Sequence, residues 1–308
     1  MITEQRIIRT DGAELAGELT LPNESGQVPT VIMIHGSGPL DRNENTRGQS
    51  LNIFNTFAEH LCATGIASFR YDKRGCGKSS GDYFLAGHRD LVDDASACVD
   101  ALGREERCDP ERVYVLGHSE GTIIAAQLAA RHPALAGLVL LCPFVEPMDS
   151  ILRRQARQMR DDLANATGIR RLLYASVFAV LGDPVENQEK LLARLRATDD
   201  PTFRVMLQKV NARWLRELIA LDSEQIYSQL KTSVLAIGGE KDIQCLPDDV
   251  AKIAEVSPSD VSTHVIANLT HLLRFESDEP SFLNYGKLLK RPMENLVCEL
   301  VSNWISRH

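Results

Sequence analysis

Residues 112–132 read RVYVLGHSEGTIIAAQLAARH. The stretch opens on a short apolar run, Val113 to Leu116, whose length and β-branched content suit a buried parallel strand. Gly117, His118, Ser119, Glu120 and Gly121 follow. Beyond them Ile123, Ile124, Ala126, Leu128 and Ala130 continue at helical spacing until Pro133 stops the run. The order is strand, Gly-x-Ser-x-Gly, helix, which is the context a nucleophile elbow requires. A serine in such a turn has a strained backbone, and its Oγ stands clear of the sheet edge. The flanking glycines carry no Cβ, so neighbouring backbone can pack against the turn. The helix that begins here aims free N–H groups at the reacting centre. Its first amide, that of Glu120, is a candidate oxyanion donor.

A serine hydroxyl is a weak nucleophile at neutral pH. It needs a base within hydrogen-bond reach, and that base needs an orienting carboxylate. In α/β sheets such groups stand at the C-terminal ends of strands. His271 passes this test, because it follows the last clear strand, 260–267. His118 adjoins the serine on the tight turn and points elsewhere. His35 ends a strand but precedes a glycine-rich turn, and the remaining histidines fall on helices, within a strand or at the terminus. For the acid, Asp242 follows the strand 233–238. Asp248 and Asp249 fall at a helix start, where carboxylates serve as caps. The chain order Ser119, Asp242, His271 then matches the order of the strand-turn-helix hydrolases.

Working outward, 2–9 and 13–21 read as strands joined at Asp11-Gly12. Thr30 to Ile34 reads as a buried strand ending in His35-Gly36-Ser37-Gly38-Pro39, and the amide of Ser37 is the second candidate oxyanion donor. Residues 40–49 are polar and aperiodic, a loop rimming the same edge. Helices are expected over 51–63 and 88–103, with a strand at 66–71. In the segment 72–79, DKRGCGKS, the Gly-Lys-Ser end suggests a phosphate loop. A Walker A motif needs glycine five positions before Gly77, and position 72 is Asp. The reading is a structural loop with Asp72 and Arg74 in ion pairs. A strand at 137–142 follows the elbow helix.

From 146 to 230 the composition shifts to Arg, Leu and Glu. Helices are expected near 149–165, 168–182, 185–197, 201–210 and 212–220, broken at Asp183-Pro184 and Asp200-Pro201. The predicted organisation is a core of 1–145 and 231–308 with a helical cap of 146–230 over the catalytic edge. A stripe of Leu172, Leu173, Val177, Phe178 and Leu181 reads as cap core. Trp214 is the aromatic expected at the substrate pocket. The arginines at 153, 154, 157 and 160 read as a solvated helix face. Residues 293–305 form the closing helix.

The chain has 308 residues, 44% of them hydrophobic and 25% charged, which is ordinary globular composition and excludes a disordered chain. The net charge of −8 disfavours nucleic acid and anionic membranes as partners. Seven widely spaced cysteines with no Cys-x-x-Cys pair indicate neither a zinc site nor a disulfide framework. Only Cys245 falls near the expected site. The N-terminal MITEQRIIRTDG lacks a signal-peptide core, and no apolar run reaches the roughly 18 residues of a membrane span. The expectation is a soluble cytoplasmic enzyme with no metal and no cofactor. An exposed apolar cap stripe would line the pocket or make a homodimer.

HGSGP at 35–39, DKRGCGKSS at 72–80, GHSEG at 117–121, GEKDIQ at 239–244 and NLTHLL at 268–273 together resemble a bacterial serine esterase of the α/β-hydrolase superfamily. The similarity is to the prolyl-oligopeptidase-like and dienelactone-hydrolase-like branch. The resemblance implies an α/β-hydrolase fold, a mostly parallel central sheet with helices on both faces and an inserted cap. It implies carboxylesterase activity on a small-molecule ester or related acyl substrate, with Ser119, Asp242 and His271 as triad. A thioesterase, an amidase or peptidase, and a C–C hydrolase share those residues and stay open. So does a ligand-binding protein that keeps the fold without turnover.

Overall fold

The apolar run around Val115 is the centre of β5, Cys108–His118. Its side chains from Val113 to Leu116 are buried on both faces, as expected of a strand covered by helices above and below. In the computed structural model, which describes residues 1–22, 26–167, 182–205 and 208–308, β5 lies between β3, Val28–Ile34, and β6, Gly137–Leu141, parallel to both. The other strands are β1, Ile2–Thr10, β2, Ala13–Leu21, β4, Ala67–Tyr71, β9, Val234–Gly239, and β10, Val261–Ile266. The sheet order is β1-β2-β4-β3-β5-β6-β9-β10. The two N-terminal strands are antiparallel, and β4, β3, β5, β6, β9 and β10 run parallel. This is an α/β-hydrolase fold.

Each face has its own core. On one, α2, His88–Leu102, and α3, Glu120–Arg131, bury Leu91, Ala95, Ile123, Ile124 and Leu128. On the other, α1, Ile53–Ala63, and α10, Asn295–Ile305, bury Phe54, Phe57, Leu61, Val297 and Val301. The numbering of α10 allows for the elements between β6 and the C-terminus. These are α4, Met148–Ala164; α5, Pro184–Ala197; β7, Thr202–Val205; β8, Gln208–Asn211; α6, Ala212–Ile219; α7, Ser223–Ser228; α8, Asp248–Val256; and the short α9, Tyr285–Leu288.

Most expected elements appear within two or three residues of their predicted bounds. The helix near 168–182 and its apolar stripe lie outside the described residues. The helix expected at 201–210 is instead an antiparallel hairpin, with Phe203 opposite Val210. The reason is local alternation: Phe203 is buried and Arg204 exposed. Phe203 packs with Leu192, Leu195 and Leu215 in a small satellite core, and the Arg194 guanidinium sits 4.5 Å from its ring centroid. Asp249 does not cap its helix either. It is buried and accepts the amides of Val145, at 3.0 Å, and Glu146, at 3.3 Å, so it holds the chain leaving β6. The arginine row is not wholly solvated, since Arg154 pairs with Glu146 and donates to the carbonyls of Ile243 and Gln244.

The β5–α3 turn is possible only with glycine on both sides. A Cβ at Gly117 would lie 2.1 Å from the Gly121 carbonyl oxygen, and one at Gly121 would lie 2.0 Å from the Ile34 carbonyl oxygen. These neighbours are backbone and cannot rotate away. Gly121→Ala should therefore cost about 3 kcal/mol or more in urea unfolding. A loss below about 0.5 kcal/mol would contradict this close packing.

Candidate active site

Ser119 sits between β5 and α3 at φ 53° and ψ −119°. A non-glycine residue at positive φ is strained and persists only where its surroundings over-determine it. Here the Ser119 amide donates to the Leu141 carbonyl at 3.0 Å, and the Thr122 amide and hydroxyl both donate to the Ser119 carbonyl, at 2.9 and 2.7 Å. The turn is thus fastened to the end of β6 and to the first turn of α3.

The chain ends of β9 and β10 bring Asp242 and His271 together. His271 Nδ1 lies 2.8 Å from Asp242 Oδ2. The other oxygen, Asp242 Oδ1, accepts the amides of Gln244 at 2.8 Å and Cys245 at 2.9 Å. Burial opposes ionisation of Asp242, but His271 and these two amides outweigh it and hold the carboxyl below its usual range. The arrangement fixes the ring orientation of His271 and directs Nδ1 at a carboxylate. Ser119 and His271 line the same cavity.

His118 is excluded as a base by its own contacts. Its Nδ1 donates to Glu44 Oε2 at 2.8 Å, and its Nε2 donates to the His271 carbonyl at 3.0 Å. With both nitrogens on acceptors the ring is held as imidazolium. Burial works against that charge, and Glu44 more than compensates, so the His118 pKa is raised. Glu44 is the unforeseen residue. It belongs to the 40–49 loop, read as a polar rim, yet it is only 1% exposed. Its Oε1 also accepts the Gly36 amide at 2.9 Å. The loop folds inward because the Arg42 amide and guanidinium hold Asp72 across the sheet edge. Arg74 of the 72–79 segment pairs with Asp94. Glu44 thereby ties together the turn after β3, the turn after β5 and, through His118, the His271 loop.

The Gly36–Ser37 turn touches the serine directly, for a Cβ on Gly36 would lie 3.3 Å from Ser119 Cβ. Glu120, next in line, is 2% exposed. Its carboxylate accepts from Lys73 Nζ at 3.0 Å and from Trp214 Nε1 at 2.5 Å. Burial opposes its charge, but Lys73, His88 and Trp214 hold the carboxyl far below its usual value. The sequence places Trp214 at the pocket, and the structure puts it in the cavity wall with its indole N–H on Glu120. Glu44 carries no periodicity or motif that would single it out, and Lys73 falls inside the DKRGCGKSS stretch without being distinguished there.

The cavity has a volume of about 400 Å³. Leu40, Leu51, Phe144 and Leu272 line it from one side, and Met148, Ile151, Leu152 and Leu215 from α4 and α6. Cys245 lies beside the site as expected. Cys142 does too, unanticipated, with Sγ 3.9 Å from the His271 carbonyl. Burial pushes both thiols well above their ordinary value. Asp242, Cys245 and His271 cluster, as do His118, Cys142 and His271. A metal would need thiolates and free ring nitrogens. In one set both His118 nitrogens are engaged, and in the other His271 Nδ1 and both Asp242 oxygens are.

The sequence model described as serine aminopeptidase, S33, matches residues 45–278. The chain belongs to that family and is a serine hydrolase. It is 28% identical over 304 residues to esterase EstD of Thermotoga maritima, covering 98% of this chain and 67% of that protein. Among solved structures it is similar to Est1E of Butyrivibrio proteoclasticus with bound ferulic acid, at TM-score 0.64, 18% identity and 98% coverage of both chains. It is also similar to proline iminopeptidase of Mycobacterium smegmatis, at TM-score 0.63 and 18% identity, covering 99% of this chain and 98% of that one. These two likenesses are of fold. No helix among the described residues is long and apolar enough to cross a membrane.

The Glu44 carboxyl is lowered from 4.5 to about 2, by His118 and the Gly36 amide acting against burial. A depressed carboxyl stabilises the fold above its unfolded pKa, and that contribution is lost as pH falls through the folded value. The melting temperature should therefore fall between pH 4.5 and 2. Glu44→Gln should show a shallower fall across that window in a pH series of thermal melts. Identical slopes would contradict the pairing.

Proposed function

We propose that the chain hydrolyses neutral, apolar carboxylic esters through an acyl-enzyme on Ser119. His271 Nε2 takes the Ser119 hydroxyl proton as Oγ attacks the ester carbonyl. The amides of Ser37 and Glu120 receive the developing oxyanion. The tetrahedral adduct collapses, and His271 delivers its proton to the leaving alcohol. Water then enters, gives a proton to His271 and attacks the acyl-enzyme, and His271 returns that proton to Ser119 Oγ as the bond to the acid breaks. Asp242 stays ionised and holds the ring. The observation that carries this reading is the 2.8 Å His271–Asp242 contact, backed by two amides, with His271 lining the cavity that also contains strained Ser119.

Residues 146–230 act as the cap in this proposal, because α4 and α6 supply much of the apolar wall. Trp214 contacts substrate from that side. The wall also separates the ester reading from the aminopeptidase reading that the family description suggests. A free α-ammonium needs an unpaired carboxylate. Among the described residues, the two carboxylates lining the cavity, Glu44 and Glu120, are held by His118 and Lys73. Residues 168–181 and 206–207 contain no acidic side chain.

A panel of p-nitrophenyl acyl esters against aminoacyl p-nitroanilides tests this. Butyryl to octanoyl esters should be turned over with kcat/KM at least about 100-fold above any aminoacyl anilide. A preference for the anilides would overturn the ester reading. Asp242→Asn should lower kcat about 10⁴-fold, and a wild-type rate in that variant would remove Asp242 from the mechanism.

A further inference from the structure

Lys73 follows β4 in the 72–79 segment, and the triad chemistry leaves it without a role. It is 4% exposed. Its Nζ donates to two acceptors, the Gly36 carbonyl at 3.1 Å and Glu120 Oε2 at 3.0 Å. These belong to the two residues on which the proposed oxyanion donors depend. The Gly36 carbonyl and the Ser37 N–H are one peptide unit. That unit is planar and trans, so its oxygen and hydrogen point in opposite directions. Fixing the oxygen fixes the direction of the Ser37 N–H. The second acceptor is the side chain of Glu120, whose own amide is the other donor.

We propose that Lys73 is a positioning residue that sets both oxyanion donors from a single ammonium, one through the Gly36 carbonyl and one through the Glu120 carboxylate. The inference rests on the acyl-transfer reading above. His35 Nδ1 lies 3.0 Å from the same Gly36 oxygen. Burial, helped by Lys73, lowers the His35 pKa to about 4, so it donates as a neutral ring while Lys73 supplies the charge. A cation on the carbonyl also polarises the peptide and strengthens its N–H as a donor. Trp214 holds the far side of the Glu120 carboxylate, with His88 Nδ1 3.5 Å away, so the ammonium acts against a fixed counterpart.

The competing explanation is that Lys73 only neutralises a buried carboxylate. Lys73→Met alone cannot decide, because it strands the Glu120 charge and destabilises the fold. Lys73→Met/Glu120→Gln removes both charges and leaves no ammonium on Gly36. The double variant should melt within about 3 °C of wild type. Its kcat, expressed per Ser119 titrated with a fluorophosphonate, should stay down about 10²-fold, with KM changed less than about 3-fold. The inhibition constant of an alkylboronic acid, whose tetrahedral adduct fills the oxyanion site, should rise in step. Recovery of kcat along with stability would overturn the proposal. Lys73→Leu/Glu120→Gln gives the same comparison if the methionine variant does not accumulate. If wild type fails to hydrolyse the esters at all, the acyl-transfer reading fails first and takes this inference with it.

Discussion

The strained turn at Ser119 is the constraint around which the site is arranged. A positive-φ serine between β5 and α3 has no local reason to be stable. It is held from three sides: by the end of β6 through the Leu141 carbonyl, by Thr122 in α3, and by the turn after β3 packed against it. The parallel sheet makes this possible. Parallel strands place all their C-terminal ends at one edge, so turns far apart in sequence converge there. β3 contributes the Gly36–Ser37 turn, β4 Lys73, β5 Ser119, β9 Asp242 and β10 His271.

Two buried charge pairs and the Asp242–His271 hydrogen bond then lock those turns to one another. Glu44–His118 joins the turn after β3 to the elbow and to the His271 loop. Lys73–Glu120 joins the β4 loop to the start of α3, and Asp242–His271 joins the ends of β9 and β10. Burying ions is costly, and such pairs often contribute little net stability against apolar replacements. Their effect here is on geometry. Each pair links elements distant in sequence, each is further hydrogen-bonded to backbone or ring donors, and none remains free to bind a charged substrate. The result is an apolar cavity whose bordering carboxylates are paired, which fits the proposed ester chemistry, whose new charges are the transient oxyanion and the His271 imidazolium.

Much of this was legible in the sequence. The apolar run before Gly117 and the helical spacing after Gly121 identified the elbow. The sequence points to Asp242 and His271 because each follows an apolar run at a strand end where such groups stand, and the fold brings the two side chains within 2.8 Å. Glu44 and Lys73 were not legible, because burial of a loop residue depends on how the loop folds back. Nothing local to Glu44 signals that Arg42 will reach Asp72 and turn the 40–49 loop inward. The 72–79 segment draws attention to Gly77-Lys78-Ser79, while Lys73, buried against Glu120, stands at its start. A helix is expected at 201–210 from the Arg, Leu and Glu composition of 146–230 as a whole, whereas the alternation around Phe203 and its packing on Leu192 and Leu195 favour strand. Asp249 looked like a helix cap and instead holds the backbone of Val145 and Glu146.

The central claim is that the Ser119 hydroxyl is an activated nucleophile. Intact-mass analysis after fluorophosphonate treatment tests it without any assumption about substrate. The account predicts a single adduct on the folded wild-type chain and none on Ser119→Ala. An unlabelled, well-folded wild type, or equal labelling of the two proteins, would contradict it.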